Sequence, residues 1–274
     1  MVPRIRITLA YLGTPFRGWQ KQPNVRTVQG ELEETLARLY QCPIRTVAAG
    51  RTDAGVHADG QVVHFDPPYP IPPKGVQAAL NSLLPHEIRV VKAKQVSSSF
   101  HARRSAVGKR YRYRLAWGPP LPPWPALRRL WIPYHPDREE LTSALALCTG
   151  LHDFRRFALA GHSGHGKRGT VRRLFWAQLH CRSHQADLIF EGDGFLRGMV
   201  RRLVGALLEV ASGRRPREWL VALLAGGESD PEPPTAPASG LTLEHVFYRR
   251  RQNWGSYSGA QTRAFLPVLD CLGP

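Results

Sequence analysis

Between Leu196 and Ala211, apolar residues fall at Leu196, Met199, Val200, Leu203, Val204, Leu207, Leu208 and Ala211, at alternate steps of three and one. A stripe of that period covers one face of an α-helix, and the face has to be buried against a second layer. Gly213 marks the C-terminal stop of this helix, and Pro216 opens a shorter one through Trp219 and Leu223. The second layer is written in a period of two. Ile5, Ile7, Leu9 and Tyr11 alternate with Arg6, Thr8 and Ala10, and Tyr111, Tyr113, Leu115 and Trp117 alternate with Arg110, Arg112 and Arg114. Arg173, Phe175, Ala177 and Leu179, and then Ala186, Leu188 and Phe190, continue the strand pattern. A long amphipathic helix beside several half-buried strands predicts an α+β protein.

The remaining elements follow the same rules. Val28, Leu32, Leu36 and Leu39 predict a helix with Glu31, Glu33 and Glu34 near its start, and Val76, Leu80, Leu83 and Leu84 a second one stopped by Pro85. Ile44–Ala49, Gln61–Phe65, Ile88–Val96 and Leu241–Tyr248 read as strands, with a three-glycine loop at Gly50–Gly60. Asp137 and Glu140 look like a capping box for a helix carrying Leu141, Ala144, Leu145 and Cys148. Pro119–Pro125 and Gly226–Gly240 read as loops. The expected organisation is an N-terminal α+β domain over 1–104, a C-terminal one over 105–248, and a tail over 249–274.

Charge limits the partner. The chain carries 38 Lys+Arg against 21 Asp+Glu, a net charge of +17. Ile88–Pro136 and Phe154–Ala186 contain no acid at all, while acids gather at 31–34, 137–140 and 228–232. Segregated positive charge draws in polyanions, so nucleic acid is the expected partner ahead of a merely solvated surface or an acidic protein. No run approaches the length of a membrane helix. The N-terminus alternates charged and apolar residues, unlike a signal peptide. The four cysteines, at 42, 148, 181 and 271, form no paired motif, so neither a zinc site nor a disulfide framework is expected. His162 and His165 have no acid or cysteine at ligand spacing and read as loop residues. The expected compartment is the cytoplasm.

The candidate chemistry sits in Gly50-Arg51-Thr52-Asp53-Ala54-Gly55-Val56-His57. Asp53 is either an ordinary turn former or a carboxylate held on a bent backbone, with Arg51 favouring its ionised form for nucleophilic or base work. Tyr111 can pack in the core or stack on an unpaired base, and for Tyr113 the core is favoured. Arg197 and Arg201 border the helical stripe, as surface side chains or as partners for a carboxylate.

Phe16-Arg-Gly-Trp-Gln, Thr27-Val-Gln-Gly-Glu-Leu-Glu, Gly50-Arg-Thr-Asp-Ala-Gly-Val-His, Asn81-Ser-Leu-Leu-Pro, Phe100-His-Ala-Arg, Lys109-Arg-Tyr-Arg-Tyr and Met199-Val-Arg occur in that order. Together they resemble the TruA-type tRNA pseudouridine synthases. The resemblance implies two similar α+β domains forming an extended, mainly antiparallel sheet flanked by helices, with the active-site cleft between them. It implies isomerisation of uridine to pseudouridine at positions 38, 39 and 40 of the tRNA anticodon arm, by a homodimer with no metal or organic cofactor. It places Asp53 as the catalytic residue, Tyr111 against the target base, Arg51 in base extrusion and Arg201 in a pair with the aspartate. Leu12 stands where the family usually has Asp, and Gly198 where it has a larger residue, which is expected to loosen local packing. The tail from Arg249 has no recognised counterpart. The alternative from another class is a non-catalytic RNA-binding protein, which would explain the charge but not the loop carboxylate.

Overall fold

The computed structural model describes residues 2–161, 169–227 and 231–255; His162 and His165 lie outside them. Ten strands form one sheet. They are β1 (Arg4–Tyr11), β2 (Val47–Ala48), β3 (His57–Phe65), β4 (Ile88–Val96), β5 (Gly108–Ala116), β6 (Leu130–Trp131), β7 (Gly150–Asp153), β8 (Val171–Arg182), β9 (Gln185–Gly192) and β10 (Leu241–Phe247). The main path runs β4-β1-β3-β10-β5-β9-β8-β7, with β2 joined to β3 and β6 to β5. Pairing is antiparallel except between β10 and β3 and between β5 and β6. The last strand therefore lies in the middle of the sheet, between elements from the two halves of the chain.

The period-two pattern settles which side of the sheet is covered. Ile5, Ile7 and Leu9 of β1, Tyr113 and Leu115 of β5, and Leu188 and Phe190 of β9 are buried on one side. Helices α1 (Val28–Tyr40) and α2 (Pro73–Leu83) cover that side in the first half. In the second half α4 (Arg138–Leu147), α5 (Met199–Ala211) and α6 (Arg217–Leu224) cover it, while α3 (Pro123–Ala126) is a single turn in the proline-rich loop. On the opposite side, the arginines of β5 meet carboxylates: Arg110 with Glu191 at 2.5 Å, Arg112 with Asp187 at 2.8 Å and with Glu244 at 2.5 Å. These arginines are not a phosphate-binding row beside Tyr111, because they point away from it and are already neutralised.

Four local expectations are corrected. The strand expected over Ile44–Ala49 shrinks to β2, since Glu33 of α1 accepts hydrogen bonds from both the backbone N–H and the hydroxyl of Thr46 at 2.9 Å, diverting that backbone from the sheet. β3 begins at His57, inside the expected loop, because β1 and β10 supply partners at Ala58 and His57. Only half of the capping box forms: Asp137 accepts from the N–H groups of Glu139 and Glu140, but the Glu140 carboxylate is taken by Arg217 at 2.5 Å. Helix α5 starts at Met199, one turn later than the apolar stripe.

Gly198 explains that late start and does not loosen the packing. It holds φ +72° at the N-cap of α5, and a Cβ there would lie 2.4 Å from the Leu159 side chain. Gly198→Ala is expected to lower unfolding free energy by about 1–2 kcal/mol, from left-handed strain and displacement of Leu159. Urea denaturation of the two proteins measures it.

The first residues of the tail pack on the sheet. Trp254 stacks on Phe175 at 4.1 Å and donates to Glu191 at 2.9 Å, and Arg251 reaches the same buried carboxylate at 3.0 Å.

Candidate active site

The loop that carries Asp53 is held in place by the segment that precedes α1. The Trp19 N–H donates to the Thr52 carbonyl at 3.1 Å, and the Gly55 N–H to the Phe16 carbonyl at 3.3 Å. The same segment then docks on the start of α1, where Val28 N–H meets the Gly18 carbonyl and Thr27 caps the helix through Gly30 N–H at 3.2 Å. The loop itself turns at Asp53–Val56, closed by Val56 N–H to Asp53 carbonyl at 3.1 Å, with Gly55 at φ +78°, the third-position conformation a type II turn needs. Three of the sequence motifs are thus one mechanical unit, whose product is a fixed carboxylate.

A polar layer supports the loop from beneath. The Tyr11 and Thr52 hydroxyls lie 2.8 Å apart, and the Gln61 amide donates to the Gly50 carbonyl at 2.7 Å. Burial pushes the Tyr11 phenol up to about 12, so it stays protonated and neutral. His57 closes the end of the loop: its Nδ1 accepts from Gly13 N–H at 3.1 Å, which leaves the ring proton on Nε2. Burial, then the nearby Arg128, push this imidazole down to about 4, so it is neutral at pH 7 and serves as a structural acceptor. Tyr11 and Gln61 were not foreseen as site residues. The signal was present at Gln61, a polar side chain paired with Leu9 on the apolar side of the sheet.

The second half of the chain faces this loop across a cleft lined by Arg51, Asp53, Tyr111, Phe195, Arg197 and Val200 among others. Arg201 of α5 brings its guanidinium 3.7 Å from the Asp53 carboxylate, and Arg197 lies 4.0 Å away on the other oxygen. Arg201 is the better held of the two, being 19% exposed against 58%. Its Nε donates to the Ala236 carbonyl at 2.7 Å, and its own carbonyl accepts from Ala236 N–H at 3.1 Å. At about 4 Å and an effective dielectric near 20, such a pair attracts by roughly 4 kcal/mol before desolvation is subtracted. Arg51 stands exposed at the mouth of the cleft.

Tyr111 forms part of the cleft wall, with Phe195 edge-on at 4.9 Å. Burial, then the proximity of Tyr11 and Asp53, push its phenol well above the ordinary tyrosine value, so the hydroxyl is a donor at rest. Tyr113 shares its side of β5 but is fully buried, its hydroxyl donating to the Pro237 carbonyl at 2.7 Å. Arg202, the next residue along α5, turns away from Asp53: it donates to the carbonyls of Arg156 and Ala158 and pairs with Glu232 at 3.0 Å. No three His, Cys, Asp or Glu side chains gather as a metal site among the described residues.

A sheet with a carboxylate loop from one half and an aromatic–arginine wall from the other defines a cleft protein built to hold a flat ring beside a charged group. The tRNA pseudouridine synthase family model matches residues 7–103 and 144–249. A tRNA pseudouridine synthase A of Latilactobacillus sakei subsp. sakei (strain 23K) is 44% identical over 91% of this chain and all of its own length. One of Myxococcus xanthus is 43% identical over 90% of this chain and 93% of its own. The chain belongs to the tRNA pseudouridine synthase family.

Two pairs of variants separate the roles in the site. Arg201→Leu is expected to lower turnover tenfold or more, on the order of 1.4 kcal/mol, with a smaller change in RNA affinity. Arg202→Leu should instead cost about 1–3 kcal/mol of stability, because buried carbonyls and Glu232 lose their donor. Tyr111→Ala removes a stacking ring worth roughly 1–3 kcal/mol, and turnover should fall accordingly. Tyr113→Phe should leave turnover near the parent value and cost about 1 kcal/mol of stability. Steady-state kinetics beside thermal unfolding distinguish these outcomes.

Proposed function

We propose that this protein isomerises uridine to pseudouridine in the anticodon arm of tRNA, at positions 38, 39 and 40, with Asp53 as its catalytic residue. The observation that carries the assignment of Asp53 is its position: a carboxylate on a rigid loop, at the bottom of a cleft, between two guanidinium groups of the opposite half. A non-catalytic RNA binder gains nothing from negative charge where a polyanion must approach.

The chemistry follows from this arrangement. The uridine leaves the stack at a cost of a few kcal/mol, offset by stacking on Tyr111 and by Arg51 entering the vacated space. The N1–C1′ bond breaks, the uracil turns, and a C5–C1′ bond forms. C5 loses its proton and N1 gains one, so the reaction is an isomerisation that consumes no second substrate. Asp53 acts by attack on C1′, by attack on C6, or by stabilising charge during cleavage. Arg201, 3.7 Å away, orients its carboxylate. The enzyme acts in the cytoplasm, and the working form is a homodimer, readings supported by the family resemblance.

The decisive test is Asp53→Asn with 5-[³H]uridine-labelled tRNA. Tritium release is expected to fall at least about 10³-fold, while tRNA binding survives because phosphate contacts dominate affinity. Substantial release by the Asn variant would remove Asp53 from its assigned role.

A further inference from the structure

Asp53 has a guanidinium beside each oxygen, and the two are held differently. Arg201 stands 3.7 Å from one oxygen, with its Nε and its backbone carbonyl both bonded to Ala236. Arg197 stands with its Nε 4.0 Å from the other oxygen and is mostly exposed. That separation is a loose ion pair rather than a hydrogen bond, and solvent screens a pair so exposed. The backbone of Arg197 is fixed: its carbonyl accepts from Leu159 N–H at 2.9 Å, and Gly198 at φ +72° turns the chain into α5 just after it. Its side chain is tethered through Nη1, which donates to the Ala160 carbonyl at 2.8 Å. Among the described residues, neither its Nε nor its Nη2 makes a hydrogen bond.

We propose that Arg197 binds a backbone phosphate flanking the target uridine and leaves Arg201 as the standing partner of Asp53. The proposal rests on the isomerase reading above and names a substrate contact of the same cleft. Whichever route Asp53 takes, its carboxylate has to lie beside the N1–C1′ bond. The 5′ and 3′ phosphates hang on the same ribose, one sugar ring away from that bond. A guanidinium close to the carboxylate, on the open side of the cleft, stands where one of them passes. Phe195 and Tyr111, edge-on at 4.9 Å, form the wall for the base, and Arg197 lines the cleft two residues after Phe195. Nε and Nη2 share one edge of the planar guanidinium, the edge that gives a phosphate two parallel hydrogen bonds, while Nη1 stays on Ala160. A phosphate held there keeps the ribose in place while the detached uracil turns to present C5.

A phosphate contact and a mere brace for Asp53 read out differently. A brace acts on the reacting state, so its loss lowers kcat and leaves the salt dependence of RNA binding alone. A phosphate contact is made in the bound complex and kept through the reaction, so its loss raises KM and weakens that salt dependence.

The test compares the full chain with Arg197→Gln and Arg197→Lys on an unmodified tRNA transcript. Arg197→Gln is expected to raise KM about tenfold, the loss of one charge-assisted contact, with kcat changed far less. The slope of log K for binding against log salt should shrink by about 0.7–0.9. Arg197→Lys should restore that slope, because the charge is kept, but not the full affinity, because the fork is lost. Transcripts with a neutral methylphosphonate at each phosphate flanking the target uridine, one at a time, probe the contact directly. At one of the two positions the neutral link should raise KM for the parent and be nearly silent in Arg197→Gln. Additive losses at both positions, a parent-like salt slope in Arg197→Gln, or a fall in kcat with KM unchanged overturns the proposal. The salt slope needs no turnover, so the phosphate contact is judged separately from the reaction reading, whose failure would show as no tritium release by the parent.

Discussion

The placement of β10 makes a single cleft out of two half-sites. Thr242 and Leu243 pair in parallel with His57 and Ala58, at the end of the Asp53 loop, while Leu243 also pairs antiparallel with Tyr111. A strand only a few residues long therefore sets the distance between the carboxylate loop and the tyrosine. The segment leading into β10 does the same for the arginine, since Ala236 both accepts from Arg201 and donates to its carbonyl. If this strand slipped by one residue, every side chain on it would change sides, and the cleft would lose its floor.

The charge distribution has a different meaning in three dimensions than along the chain. Residues 88–136 contain no acid, yet the arginines of β5 meet Asp59, Asp187, Glu191 and Glu244, which arrive from other strands. The sheet places them opposite one another on its uncovered side, where cross-strand pairing of opposite charges stabilises the register. The arginines that line the cleft, Arg51 and Arg197, come from other elements and stand outside this row. The arginines of β5 therefore serve the fold, and the cleft keeps its own positive groups.

Rigidity around Asp53 is assembled from several weak parts. No single hydrogen bond to the loop is exceptional, but the backbone clamp from Phe16 and Trp19, the Gln61 amide and the Tyr11–Thr52 contact fix it from separate directions. In the catalytic role proposed for it, the carboxylate benefits because its position is set before substrate arrives, so no binding energy is spent on ordering it. The two arginines divide their work by exposure: Arg201 is anchored and half of the inter-half connection, whereas Arg197 remains largely in solvent.

The sequence by itself determined the element types and the apolar faces. The stripe of α5 is buried at every position from Leu196 to Ala211 that the period named, and the alternation of β1 and β5 separates core from charge as read. It also determined the candidate carboxylate, because an aspartate between glycines and arginines is legible as local chemistry. Tertiary structure decided the rest, since the deciding partners are distant in the chain. The capping of Thr46 by Glu33 cut β2 short, and the pairing of β3 extended it back to His57. Likewise, Arg201 and Arg202 are adjacent in sequence. One reaches Asp53 and the other Glu232, because consecutive helical residues point about 100° apart and meet different neighbours. A periodic pattern specifies which way a side chain faces within its element, but only the packing of elements specifies what it meets there.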